Sequence, residues 1–268
     1  MTYQMIATDL DGTLLNSRSA LSHNTIQTIE RLKQEGKTIV IASGRTYAEI
    51  VRLTQPLNLL SYNKAYFICY NGVLTVKTNP FTVLMKMTLK KEDVKNIIKA
   101  LNPEVTKFHI FGENRLFLSH DIELSLEHHQ SNTTDIIKVD MNTYDFEDDI
   151  YKILIYDDKS ALELLKKDIP SSIYTNYSVV KSSEQLLEIF HKEGSKGHAL
   201  EFLSKLLKIS RENIIAFGDE ENDMTMIQFA GLGVAVGNAK KSVVSAAKVT
   251  TLSNIFDGVA VAINKYVK

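Results

Sequence analysis

Two aspartates stand two residues apart in Asp9-Leu10-Asp11-Gly12-Thr13, directly after the apolar run Gln4-Met5-Ile6-Ala7-Thr8. A carboxylate is a weak nucleophile in bulk water. It becomes competent when a cation neutralises an anionic target and holds both groups in line. Mg²⁺ suits such a pair, because it prefers oxygen ligands and usually takes one or two carboxylates together with water and phosphate oxygens. Gly12 permits a tight turn, and Thr13 can hydrogen-bond locally. A plain turn after a strand has the same pattern, so the pair needs support from elsewhere in the chain.

Three distant segments offer it. Ser43-Gly44-Arg45 supplies a hydroxyl and a backbone N–H opened by glycine, a modest oxyanion site or an ordinary strand-to-helix turn. Gly218-Asp219-Glu220-Glu221-Asn222-Asp223 opens a helix expected to run to about Ala230. Acidic residues are favoured at a helix N-terminus, but a cap needs one carboxylate and this segment carries four acids, which suits a cation site. Lys196 stands at the entrance of a helix containing Leu200, Leu203 and Leu207. A lysine there opposes the helix dipole, a penalty that makes sense if the ammonium faces an anion; a solvated lysine is the alternative.

The elements that must position these groups alternate apolar runs with amphipathic stretches, the pattern of an α/β fold. A helix is expected after the first run, capped by Ser22, with Ile26, Ile29 and Leu32 on one face and Gly36 as its stop. Lys37–Ala42, Ala65–Tyr70, Asn213–Phe217 and Leu232–Val236 read as strands covered on both faces. The core runs end at Asp9, Ser43, Asn71 and Asp219, and a parallel sheet binds ligands outside the carboxyl ends of its strands. The middle of the chain differs. It carries a hairpin around Gly112-Glu113-Asn114, strands Tyr151–Tyr156 and Leu186–Phe190, and helices near Glu92–Leu101, Ile122–His129 and Lys159–Asp168. The expected architecture is a Rossmann-like parallel-sheet core formed by residues 1–81 and 189–268, with an α+β cap domain inserted at 82–188.

Bulk properties narrow the class. A net charge of −1 over 268 residues points away from nucleic acid and anionic membranes. No apolar run approaches the roughly 20 residues of a membrane helix, and the N-terminus lacks a secretory pattern. The lone Cys69, inside an apolar run, excludes an intramolecular disulfide and reads as a small buried hydrophobe. A reducing cytoplasm is the expected setting, and a monomer or weak homodimer the expected state.

Taken in order, Asp9-Leu10-Asp11-Gly12-Thr13-Leu14-Leu15, Ser43-Gly44-Arg45, Lys196 and Gly218-Asp219-x-x-Asn222-Asp223 are similar to the four motifs of the haloacid-dehalogenase-like hydrolase superfamily. Asn71-Gly72-Val73 and Gly233-Val234-Ala235-Val236-Gly237-Asn238-Ala239 resemble its Cof-type branch, subfamily IIB. The resemblance covers both ends of the chain closely and the inserted region by size and pattern. It implies a Mg²⁺-dependent phosphatase in which Asp9 attacks phosphorus and forms an aspartyl-phosphate. It implies that Asp11 is the general acid and then the base, with its carbonyl on the metal. Asp9, Asp11, Asp219 and Asp223 would form the metal site. Ser43, Lys196 and Asn222, with backbone amides of Leu10 and Gly44, would hold the phosphoryl oxygens. Dehalogenases of the superfamily lack the second aspartate, so Asp11 favours phosphate chemistry. The stretch His191 to Gly194 before Lys196 is less familiar but removes no catalytic group.

Two other readings stand beside it: a phosphomutase with the same covalent intermediate, and a non-catalytic phospho-ligand-binding module. The partner expected is a small phosphate ester, such as a sugar phosphate, a riboflavin-pathway phosphate, pyridoxal phosphate or flavin mononucleotide. Its identity should rest with the inserted domain, which can close over the site. That domain offers His109, Arg115, His120, His128, His129 and several tyrosines.

Overall fold

In the computed structural model, which describes residues 3–113, 115–119 and 135–267, the apolar runs become strands in chain order. They are β1 (Met5–Thr8), β2 (Thr38–Ala42), β3 (Ala65–Cys69), β4 (Leu74–Thr78), β5 (Phe81–Lys86), β6 (Phe108–Phe111), β7 (Arg115–Ser119), β8 (Asp135–Val139), β9 (Lys152–Tyr156), β10 (Tyr177–Ser183), β11 (Leu186–His191), β12 (Ile214–Gly218), β13 (Leu232–Ala235) and β14 (Val249–Thr250). The helices are α1 (His23–Gln34), α2 (Tyr47–Leu53), α3 (Lys91–Ala100), α4 (Lys159–Asp168), α5 (Ser171–Asn176), α6 (Lys196–Leu206), α7 (Met224–Phe229), α8 (Lys241–Ala246) and α9 (Gly258–Tyr266).

The chain separates into two units, Met1–Lys86 with Ser195–Lys268, and Met87–Gly194. These boundaries lie five and six residues beyond the expected ones, for a pairing reason. Residues 82–86 belong to β5, which pairs antiparallel with β4, and residues 189–191 belong to β11, which pairs with β9 and β10.

The first unit holds an eight-stranded sheet in the order β14-β13-β12-β1-β2-β3-β4-β5. It is parallel from β14 to β3, and β4 and β5 add an antiparallel edge. Strands β1, β2, β3 and β12 are buried at every residue, which is why they read as unbroken apolar runs instead of alternating ones. One core layer packs Met5, Ala7, Val40, Ala42, Ile68 and Ala216 against Leu200 and Leu203 of α6. Helix α1 starts where Ser22 accepts a hydrogen bond from the Thr25 N–H at 3.0 Å, and Gly36, at φ +69°, follows its end. Ile29 and Leu32 are buried, but Ile26 is only half-buried; Thr25 and Thr28 take the remaining inward positions. The expected helix from the acidic segment to Ala230 is shorter. Glu221–Asp223 forms a single tight turn and α7 follows it, because Asp223 spends its side chain on the backbone N–H groups of Asp219 and Glu220.

The second unit has a six-stranded sheet in the order β10-β11-β9-β6-β7-β8, antiparallel except for β7 with β8. Its core sets Phe108, Ile110, Phe117, Ile153 and Ile155 against Val94, Ile97 and Ile98 of α3. The hairpin strands β6 and β7 pair as expected, and the Gly112 N–H donates to the Arg115 carbonyl at 2.8 Å. Asn114 and the expected helix Ile122–His129 lie outside the described residues, as do His120, His128 and His129. Among those described, no helix is long and apolar enough to cross a membrane.

Candidate active site

All the motif residues belong to the first unit, and parallel pairing aligns the strand ends that carry them. Thr8 of β1 lies between Phe217 of β12 and Ile41 of β2, so Asp9, Ser43 and Asp219 emerge from the same edge. The Asp9 N–H donates to the Phe217 carbonyl at 3.0 Å, and the Ser43 N–H to the Ile68 carbonyl at 2.8 Å. Beyond Asp9 the chain makes a wide turn in which the Leu15 N–H reaches the Leu10 carbonyl at 2.9 Å. Asp11 and Gly12 leave helical backbone there, Gly12 at φ +76°. A Cβ at Gly12 would lie 2.4 Å from Asp219 Oδ2, so glycine is demanded both by conformation and by the neighbouring carboxylate.

Lys196, the first residue of α6, is buried with its Nζ 2.6 Å from Asp9 Oδ1 and 2.6 Å from Asp223 Oδ1. The cost of a lysine at a helix N-terminus is thus offset by two carboxylates, and the solvated alternative does not hold. Asp223 Oδ2 accepts from the N–H groups of Asp219 and Glu220 at 2.9 and 3.0 Å. The acidic segment therefore does cap its own turn, and the same aspartate also faces Lys196. Thr13 Oγ1 donates to Asp219 Oδ1 at 2.6 Å.

Asp9, Asp219 and Asp223 present oxygens within 4.8 Å of one another, close enough for a metal ion. Three buried carboxylates face one ammonium, and isolated buried charge is costly. Burial pushes the Asp9 carboxyl well above the ordinary carboxylate range; Lys196 pulls it down while Asp223 and Asp219 raise it further. Asp219 is pushed up to about 6, chiefly by burial, against the Thr13 hydroxyl and with help from Asp223. Burial disfavours the Lys196 ammonium, but Asp223 and Asp9 outweigh it and its pKa is raised. A hard divalent cation fits this set, since every donor is oxygen and the cluster carries excess negative charge.

The remaining predicted residues sit around this centre with varied partners. Ser43 Oγ accepts from the Arg45 N–H at 3.2 Å. Gly44 lies against Asn71, whose Oδ1 would meet an added Cβ at 3.1 Å. Asn222 Nδ2 donates to Asn71 Oδ1 at 3.0 Å, while its own Oδ1 is buried with no hydrogen-bond partner. Leu10 is fully buried under the turn. Asp11 stands apart from the acidic cluster: Arg45 Nε and Nη2 grip its two oxygens at 2.7 and 2.8 Å, and Arg45 Nη1 reaches Glu49 at 3.0 Å. Arg45 stands in the Ser43-Gly44-Arg45 motif with nothing in the sequence to show its partner. Spacing alone does not reveal a bidentate contact across 34 residues. Asn254, whose Nδ2 donates to the Leu15 carbonyl at 2.8 Å, likewise gives no signal in the sequence. Cys69 is fully buried and burial pushes its thiol upward, in keeping with a packing role. In the second unit His109 is buried and Arg115 pairs with Asp148 at 3.3 Å.

The sequence matches the haloacid dehalogenase-like hydrolase family over residues 6–263. The YxeH protein of Bacillus subtilis is 32% identical over 269 residues, covering 99% of this chain and 98% of that protein. The 5-amino-6-(5-phospho-D-ribitylamino)uracil phosphatase YitU of Bacillus subtilis is 30% identical over 268 residues, covering 98% and 97% of the two chains. Among solved structures, a haloacid dehalogenase-like hydrolase from Bacteroides thetaiotaomicron aligns with a TM-score of 0.86 at 28% identity, covering 98% of this chain and 99% of that one. The chain belongs to the haloacid dehalogenase-like hydrolase family and is a phosphatase, a phosphoric monoester hydrolase.

Proposed function

We propose that this phosphatase is Mg²⁺-dependent and works through an aspartyl-phosphate on Asp9. The observation that carries the reading is the buried Asp9–Lys196–Asp223 arrangement, which holds a carboxylate oxygen fixed at the end of β1 beside a cation-binding cluster. When bound, Mg²⁺ would supply the charge that keeps Asp9 ionised and offsets the phosphoryl oxygens. Asp9 and Asp219 would hold it with the Asp11 carbonyl. Asp223, whose two oxygens already accept hydrogen bonds, would order the shell.

In the first step an Asp9 oxygen bonds to phosphorus and the ester P–O bond breaks. The leaving alkoxide takes a proton from Asp11. In the second, Asp11 accepts a proton from water as the water oxygen bonds to phosphorus; the Asp9–phosphorus bond breaks and inorganic phosphate leaves. Lys196, Ser43, Asn222 and the Leu10 and Gly44 amides would steady the phosphoryl oxygens, where transition-state charge concentrates.

For substrate we propose a small metabolite with a primary phosphate on a sugar or polyol chain, chosen by residues of the unit 87–194. The support is the likeness to YitU, whose named substrate carries such a group. A phosphate-release panel read as kcat/KM tests the substrate class. The chemistry is tested with Asp9→Asn on p-nitrophenyl phosphate: turnover is abolished and acid quenching traps no phosphoryl-enzyme. Near-normal turnover by that variant removes Asp9 as the nucleophile.

A further inference from the structure

The wide turn that carries Asp11 is tied down by two asparagines from the far end of the chain. Asn238 Nδ2 donates to the Gly12 carbonyl at 2.7 Å, across 226 residues of sequence. Asn254 Nδ2 donates to the Leu15 carbonyl at 2.8 Å, across 239 residues. The two are linked, because the Asn254 N–H donates to Asn238 Oδ1 at 3.0 Å. That third bond fixes the Asn238 amide: its oxygen faces a donor, so its nitrogen faces Gly12. The turn itself cannot supply these contacts. With Asp11 at φ −81°, ψ 125° and Gly12 at φ 76°, ψ −8°, the backbone is not helical and the carbonyls there have no regular ladder to join.

We infer that Asn238 and Asn254 are positioning residues for the acid–base step, a role that rests on the assignment of Asp11 as the proton donor. The Asp11 side chain is 44% exposed, so packing does not hold it in place. Its location is set by its backbone and by Arg45. Gly12 is the next residue, and its carbonyl is gripped directly by Asn238. Asn238 is itself an exposed residue with little to contribute to core stability. One side of its amide reaches the turn, and the other is held by the Asn254 N–H. Asp9, by contrast, is held by β12 and Lys196 and does not depend on this relay.

This division gives a test that a merely structural role would not pass. p-Nitrophenolate leaves as a stable anion and needs no proton, whereas an alkoxide must be protonated as it departs. Asn238→Ala should lower kcat/KM, which reports only the steps up to departure of the leaving group, by about tenfold for an alkyl phosphate that the enzyme hydrolyses, part of the 10²–10⁴-fold that a general acid supplies, and leave kcat/KM for p-nitrophenyl phosphate within about twofold; kcat for either substrate also falls where the shared water-attack step limits it, because Asp11 is the base there. The melting temperature stays close to wild type. Asn254→Ala, which keeps its backbone N–H to Asn238, shows the same split with smaller amplitude. Asp11→Asn is the reference. If it shows the leaving-group split in kcat/KM and Asn238→Ala lowers kcat/KM for both substrates equally, or for neither, the relay has no part in positioning and the inference fails alone. If Asp11→Asn itself shows no split, Asp11 is not the acid and the underlying assignment fails with it.

Discussion

Gly12→Ala tests the arrangement most sharply, because the same backbone position bears on stability and on the site separately. Alanine at φ +76° pays the left-handed penalty of about 1–2 kcal/mol. Gly36→Ala, at φ +69°, pays a similar amount, but its new Cβ meets only Lys64 Nζ at 3.5 Å, ordinary contact with the end of a flexible chain. At Gly12 the Cβ arrives 2.4 Å from Asp219 Oδ2 and 3.0 Å from its Cγ. The carboxylate must retreat by about 1 Å, and a misplacement of that size costs on the order of 10²-fold in rate. It also strains the 2.6 Å bond from Thr13 and the spacing to Asp9. Both variants should lose a few degrees in melting temperature, at about 2–4 °C per kcal/mol. Only Gly12→Ala should lose turnover, by about 10²-fold, with a matching weakening of Mg²⁺ binding in calorimetry. Wild-type cation affinity and turnover in Gly12→Ala, at the expected loss of stability, would refute the claim that Gly12 makes room for Asp219.

Lys196→Met should abolish turnover and destabilise the cation-free protein by about 3–5 kcal/mol in urea unfolding, since it leaves Asp9 and Asp223 buried without their counter-charge. An unchanged midpoint would show that the carboxylates are not jointly charged in the wild type. Divalent-cation affinity should fall as pH drops below about 6, because Asp219, pushed up to about 6 by burial, must lose its proton to bind. The same shift has the opposite sign for the cation-free fold. Its contribution is fully present below about pH 4, the unfolded carboxyl value, and is lost as pH rises through about 6. Added Mg²⁺ should therefore raise the melting temperature more at pH 8 than at pH 5; equal shifts at both would remove Asp219 from the binding set.

Much of the core was legible because both-face burial leaves a plain mark. β1, β2, β3 and β12 are fully buried and appear as unbroken apolar runs. The edge was not. β5 is exposed through Phe81, Thr82 and Val83, so its pattern carries no core signal, and the expected boundary at 81/82 cuts through its first residues. β8 escaped for a related reason, since it is mostly exposed and carries Asp135 and Lys138 among its five residues. The short helices α5 and α8 span only six residues each, too few to show a helical period.

The site was legible where one residue type has few other uses at its position. A lysine at a helix entrance is unfavourable unless it meets an anion, and Lys196 meets two. Asp219 and Asp223 exceeded what a cap requires, and Asp223 proves to serve both as cap and as partner of that lysine. Arg45, Asn238 and Asn254 sit at the other extreme. Arginine and asparagine are ordinary surface residues, and their bonds to Asp11, Gly12 and Leu15 exist only once the parallel sheet has brought separate segments of the chain to one edge. Motif spacing therefore identifies the groups proposed to touch phosphorus, because their chemistry is costly anywhere else. It does not identify the groups that aim them, whose contacts cost little and are made entirely by tertiary structure. For this reason the Asn238 relay is the part of the proposed mechanism on which the structure adds most to the sequence.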